Sequence, residues 1–221
     1  MMKKITQFSL LLFIGLIATS FNSSIKWKLE KSKNGIQVYS YKPVGENLKQ
    51  LKSHTKIKTS LSSLIHVLSD VEGYKNWIYK CAEAKKIKQL APNKMVYYTV
   101  NNAPWPVEDR ELYAVNKYYQ DKKTKIVYSI SEPLANIKIP PVKGLVRVTN
   151  FYGKWQFTPI GNGEVVVDYF LKLDPAGSLP AWVINMTLEM GPYQTLINFK
   201  KEVLKEEHQQ ANYKNIEEAT N

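Results

Sequence analysis

Arg110 stands among three acids, Glu108, Asp109 and Glu111, at the end of the proline-rich run from Asn102 to Leu112. A guanidinium is a planar fork of donors, so one role open to it is a bidentate clamp on a ligand phosphate or carboxylate. The other is an ion pair with a neighbouring acid that fixes the end of a strand, and the surrounding acids favour this structural role. Side chains alternate between faces along a strand, which puts Leu112, Ala114 and Asn116 on the face of Arg110. Asn116 offers a neutral amide there. Signals for catalysis are weak. Glu108, Asp109 and Glu111 crowd a turn, where caps and salt bridges are commoner than acid–base pairs. The three histidines, His54, His66 and His208, lack ligand spacing, so no metal site is expected. No nucleophile elbow, P-loop or dinucleotide fingerprint occurs, and neither catalytic residues nor a cofactor are expected. Cys81 is the single cysteine, so no intramolecular disulfide can form, and its type suits a small semi-buried apolar position.

Those residues need elements to position them. Residues 25–58 read as strands, with Asn34-Gly35 as a turn signal before the alternating Ile36–Tyr41. Ser60 is a candidate N-cap for a helix whose Leu61, Leu64, Ile65 and Leu68 share one face. Gly73 breaks that helix, which restarts toward Trp77. Segments 94–100, 110–119, 125–130, 145–157 and 164–173 then read as strands of an antiparallel meander. In the last of them Val165, Val167, Tyr169, Leu171 and Leu173 occupy alternate positions and are assigned to the concave side. A packed core and a ligand wall explain that set equally well.

A long helix follows, from about residue 179 to Glu207, with Pro180 in its first turn. Trp182, Val183, Met186, Met190, Tyr193, Leu196, Ile197, Val203 and Leu204 form one broad apolar stripe on a 100° wheel. Gly191-Pro192 is expected to kink it. Met186 and Met190 are adaptable side chains suited to a surface that accommodates a guest. The fold class is therefore α+β: a highly curved antiparallel sheet gripping one long C-terminal helix, with a space between them that is filled by side chains or holds a ligand.

Composition narrows the partner. The chain of 221 residues carries a formal net charge of +12, with arginine only at 110 and 147. Nucleic-acid readers lean on arginine, so nucleic acid is not an expected partner. A lysine-rich surface suits solubility or transient contact with an anionic membrane. Lys3 and Lys4, the uncharged stretch Phe8–Ala18 and the small residues Ala18-Thr19-Ser20 have the form of a signal peptide. Eleven helical residues span about 16 Å, short of a hydrocarbon core of roughly 30 Å. The expected organisation is a leader over residues 1–20, one domain over 21–208 and a polar, frayed tail over 209–221. The product is expected to be a periplasmic or secreted monomer, and a retained membrane anchor is the weaker reading of the leader.

Three stretches then resemble one family, the START domains, the lipid-transfer modules related to steroidogenic acute regulatory protein. Ser60–Trp77 looks like the family's helix pair ending in tryptophan. Asn102–Leu112 resembles its proline-rich loop leading into an arginine–acid pair. Leu173–Asn185, with the lysine-rich helix beyond, resembles its junction from strand to lid. The resemblance implies a helix-grip fold, one buried lipid and a C-terminal helix acting as a lid. It makes Arg110, Leu112, Ala114, Asn116, Val167, Tyr169, Leu171, Trp182, Met186, Met190, Tyr193 and Ile197 the candidate lining of the lipid site. Some family members carry a charged residue where Asn116 stands, so this chain is expected to hydrogen-bond a hydroxyl or carbonyl there. Lys200, Lys201 and Lys205 become candidates for contact with an anionic bilayer. Two other readings remain open: a helix-grip enzyme using the same cavity, and a membrane-surface module with a filled core.

Overall fold

A computed structural model describes residues 26–46, 49–177 and 179–218, leaving aside the side chains of 181 and 185–189. The expected leader lies outside the described residues. Alternation drives the sheet. Strands β1 (Lys28–Lys33), β2 (Ile36–Tyr41) and β3 (Gln50–Lys58) precede the first helices. Strands β4 (Cys81–Ala91), β5 (Lys94–Asn101), β6 (Asp109–Gln120), β7 (Val127–Pro133), β8 (Leu145–Arg147), β9 (Asn150–Pro159) and β10 (Glu164–Asp174) follow them. They form one sheet in the order β1-β2-β3-β10-β9-β7-β6-β5-β4, and the short β8 pairs in parallel with the start of β6. The region read as one strand over 145–157 is two.

β4 lies at a sheet edge and has no counterpart among the expected strands. Its Lys85, Lys86 and Lys88 give it low strand propensity, and its register with β5 shifts three times. Lysines and bulges are how an edge avoids pairing with a foreign strand.

Helix α1 (Leu61–Ser69) starts where expected, with the Ser60 hydroxyl accepting from Ser63 N at 3.0 Å. Its Leu61, Leu64, Ile65 and Leu68 are all buried. α1 ends at Ser69 with Asp70 as its C-cap, and α2 (Tyr74–Trp77) starts after Gly73, where a Cβ would stand 2.2 Å from the Asp70 carboxylate. Helix α3 (Ala181–Val203) packs on α1, α2 and strands β1–β3, and a short α4 (Glu206–Gln209) follows it. The core is centred on Trp77, whose ring meets Phe199 at 5.1 Å and Trp155 at 5.8 Å.

Two expectations need correction. The apolar stripe of α3 does not run through with one phase. Leu196, Phe199 and Val203 are fully buried, yet Trp182 is 51 % exposed and its neighbour Val183 is buried instead. Pro192 removes one backbone hydrogen bond inside the helix, so a wheel drawn from one half misplaces the other. Met190, assigned to the stripe, is 42 % exposed. The tail is not frayed through its described part. His208 and Ile216 are buried, and the Glu218 carboxylate accepts from Leu61 N at 2.7 Å and Ser62 N at 2.8 Å. Those two amides are among the donors that a helix start leaves without partners.

Candidate functional site

Register assigns the concave face of the sheet. Leu112, Ala114 and Asn116 of β6 pair with Thr99, Tyr97 and Met95 of β5. On the other side β7 contributes Ser129 and Ser131, and β9 contributes Trp155 and Gly153. Along β10, Val165, Val167, Tyr169, Leu171 and Leu173 fall on this face, opposite Thr55, Ser53 and Leu51 of β3.

Burial changes along β10. Val165 and Val167 are buried in the core cluster that also holds Leu196, Phe199 and Val203 of α3, whereas Tyr169, Leu171 and Leu173 are only partly covered. The transition falls at Tyr169, whose ring stacks on Trp155 at 4.2 Å and 18°. Trp155 in turn meets Phe199 at 4.7 Å. The aromatic stack thus fills one half of the concave face, and partly accessible apolar side chains, including Leu112 of β6, line the other. Ile197 and Tyr193 of α3 pack against the filled half as members or neighbours of the core. Trp182 and Met190 carry the exposure already described, and the Met186 side chain lies outside the described set.

The polar groups on this floor are spent or masked in different ways. Burial pushes the Tyr97 hydroxyl up to about 12, with Ser131 pulling the other way, and drives Tyr169 and Tyr74 upward too. These phenols stay neutral hydrogen-bonding groups. Ser53 Oγ, beside Tyr169 in the register, is buried without a hydrogen-bond partner among the described residues. A lone serine in a lysine-rich strand gave no sequence signal for that position.

Arg110 and Asn116 do not converge. They stand six residues apart on β6, about 20 Å along an extended strand. Asn116 is buried and its Nδ2 donates to Ser129 Oγ at 2.8 Å, Ser131 Oγ at 3.0 Å and Ile130 O at 3.2 Å. It borders a pocket of about 150 Å³ that it shares with Met95, Tyr118 and Tyr213 near the β4–β5 hairpin. Arg110 sits at the opposite end. It donates to the carbonyls of Glu108, Pro175 (3.2 Å) and Ala176 (3.3 Å), tying the start of β6 to the junction between β10 and α3. The expected pair with a neighbouring acid is corrected: the partners of Arg110 among the described residues are backbone carbonyls. Partial burial lowers its proton affinity against the pull of Glu108 and Asp109.

The buried arginine–acid pair belongs to other residues. Glu111 has no solvent exposure and receives Arg147 Nη2 at 2.6 Å and Nε at 2.9 Å. Tyr98 donates to the same carboxylate at 3.0 Å, and Val142 N at 3.3 Å. Arg147 also binds the carbonyls of Ile139 and Pro140, which fastens the segment before β8 onto the sheet. The scarcity of arginine was the available signal, since Arg147 is the only other one in the chain.

Several loops meet at the end of the sheet where Arg110 stands. Lys172 pairs with Glu46 at 2.6 Å, holding the β2–β3 loop near the end of β10. The loop carries Val44, the β5–β6 turn carries Trp105 at 90 % exposure, and the segment before β8 carries Ile139 and Val142. Trp182 and Ile184, in the first turn of α3 after the junction that Arg110 holds, are exposed apolar side chains as well. Lys42, Lys138 and Lys143 are exposed in those loops.

Histidines separated in sequence do meet in space. His66 and His208 stand 3.0 Å apart at their Nδ1 atoms, and His54 Nδ1 lies 2.9 Å from Asp168 on the convex face. Cys81 is buried and its thiol is pushed up to about 11 by burial, which makes it a poor nucleophile.

An uncharacterized protein of Pseudomonas aeruginosa is 32 % identical over 171 residues, covering 77 % of this chain and 83 % of its own length. The bovine phosphatidylcholine transfer protein is 26 % identical over 83 % of this chain and 84 % of its own. Among solved structures, a STAR-related lipid transfer protein fragment from Xanthomonas axonopodis superimposes with a TM-score of 0.73 at 26 % identity, covering 81 % of this chain and 99 % of the fragment. The START domain description itself matches residues 21–208, in a helix-grip architecture of the kind found here, and the chain belongs to the START domain family.

Proposed function

We propose that this chain carries a single lipid between the accessible half of its concave sheet face and the first half of α3, and that it catalyses no reaction. The observation that carries this reading is the gradient along β10, from the buried Val165 and Val167 to the partly accessible Tyr169, Leu171 and Leu173. An apolar surface of that kind gains about 25 cal/mol per Å² when a lipid chain covers it. Ser53 Oγ, without a partner among the described residues, and the neutral hydroxyl of Tyr169 beside it supply hydrogen bonds to a carbonyl or hydroxyl of the guest. The phosphatidylcholine transfer protein among the relatives and the lipid-transfer fold support the same class of ligand.

Loading takes place at an anionic bilayer through the loops at the Arg110 end of the sheet. Trp105 and Trp182 are of the type that settles at a membrane interface, and Lys42, Lys138 and Lys143 match anionic headgroups. This replaces Lys200, Lys201 and Lys205 as the contact, because they lie at the far end of α3 and Lys205 is paired with Glu202 at 2.9 Å. The leader-like segment supports export, so the membrane met is outside the cytoplasm.

Mass spectrometry of organic extracts from the purified protein tests the binding, and exchange of a labelled phospholipid between vesicles tests the carriage. One lipid per chain and accelerated exchange are expected. A protein that yields no lipid and leaves the exchange rate unchanged has a filled core and another function.

A further inference from the structure

The far end of α3 holds side chains that lipid carriage does not use. Glu202, in the last turn of α3, is buried, His208 of α4 is buried, and Glu207 beside it is exposed. Ligating atoms of the three lie within 4.8 Å of one another. His208 Nε2 stands 3.4 Å from Glu202 Oε1 and 3.6 Å from Glu207 Oε1. A tetrahedral zinc ion with ligands at about 2.0–2.2 Å keeps its ligand atoms about 3.3–3.6 Å apart. Two edges of that tetrahedron are therefore already at length, and rotation of the exposed Glu207 side chain closes the third.

The surroundings meet the further needs of such a site. A metal on Nε2 leaves the His208 proton on Nδ1, and His66 Nδ1 stands 3.0 Å away to accept it. That outer hydrogen bond fixes the tautomer and the ring plane of a ligating histidine. Asn76 Nδ2 holds the Glu202 carboxylate in the same way at 3.4 Å. The carbonyl end of α3 adds partial negative charge. Lys205 Nζ, 2.9 Å from Glu202 on a half-exposed side chain, supplies the cation in the metal-free protein and has solvent to swing into.

We propose that Glu202, Glu207 and His208 form a zinc(II) site, with a water as fourth ligand, that pins α4 to the end of α3. The full chain, stripped with a chelator, is titrated with cobalt(II) and then zinc(II). The expected result is one cobalt per chain, the intense visible band of four-coordinate cobalt, and its loss on adding zinc. Glu207→Gln changes an exposed side chain, so folding checked by circular dichroism is retained while affinity falls at least about 10-fold. His66→Ala removes the outer hydrogen bond and weakens binding by about 10–100-fold. Lys205→Met tightens it several-fold by removing the competing ammonium. His54→Ala, on the opposite side of the sheet, leaves it unchanged. Absence of saturable one-to-one binding overturns the proposal. So does binding that Glu207→Gln and Lys205→Met leave as it was, or that His54→Ala abolishes.

Discussion

Arg147 Nη2 lies 2.6 Å from a carboxylate oxygen of Glu111, a side chain with no contact with solvent, and the two come from strands 36 residues apart. The pair joins β8 to β6 and holds the segment carrying Ile139 and Val142. Removing one member of a buried pair strands the other charge, at a cost of about 3–5 kcal/mol. Glu111→Gln and Arg147→Met should each lower the unfolding free energy by that margin, read from the shift of the urea midpoint. The double variant Glu111→Leu with Arg147→Met should recover part of it. Single variants within about 1 kcal/mol of the parent would show that the pair behaves like an exposed one.

Arg110 spends each of its guanidinium nitrogens on a backbone carbonyl. Arg110→Ala should therefore destabilise the junction of β10 and α3 by about 1–3 kcal/mol. Amide exchange at Ala176 and Gly177 should quicken, while the folded protein binds lipid with nearly the parent Kd. Collapse of binding with stability unchanged would instead make the guanidinium a ligand clamp.

Trp105 reaches into solvent with little to hold it. Trp105→Ser should leave the melting temperature within a degree or so, because surface substitutions away from special features fall within about 0.5 kcal/mol. Co-sedimentation with anionic vesicles and lipid exchange should both drop several-fold. Added salt should weaken the parent's vesicle association as the lysine attraction is screened. Exchange at the parental rate would move the entrance elsewhere.

Alkaline pH should unfold the protein earlier than its surface charge suggests. The Tyr97 hydroxyl ionises near pH 10 in the unfolded chain and at about 12 in the folded one. Between those values the unfolded chain holds fewer protons, so stability falls as pH rises, by about 1.4 kcal/mol per unit for this group alone. Below pH 10 it contributes no slope. Tyr74 and Tyr169, raised by the same burial, extend the effect. Tyrosinate absorbance should therefore rise in two stages, exposed phenols first and these together with loss of tryptophan fluorescence. Tyr97→Phe should flatten part of the slope.

Much of the fold was legible because its signals are local. The Ser60 cap, the helix restart at Tyr74 after Gly73 and the alternation of β10 need only neighbouring residues, and each stands where the pattern put it. β4 was missed because an edge strand spends its residues on lysines that resist pairing. On the site, alternation correctly grouped Leu112, Ala114 and Asn116 on one face with Val167, Tyr169 and Leu171 across the sheet. It said nothing of distance along the strand, which separates Arg110 from Asn116. The meetings of Glu111 with Arg147 and of His66 with His208 span 36 and 142 residues. No periodicity within one element encodes such a meeting.

The Glu218 carboxylate that receives Leu61 N and Ser62 N has a consequence for the order of assembly. α1 is among the first helical segments made, yet its capping partner comes 157 residues later. A growing or threading chain holds that helix start open to water until nearly everything else has emerged. Closing so distant a contact carries the entropy of a long loop, and topologies rich in such contacts fold slowly. A chain shortened before residue 218 would keep the whole sheet and every helix while losing this last closure. Its deficit would show as faster unfolding rather than as a different fold.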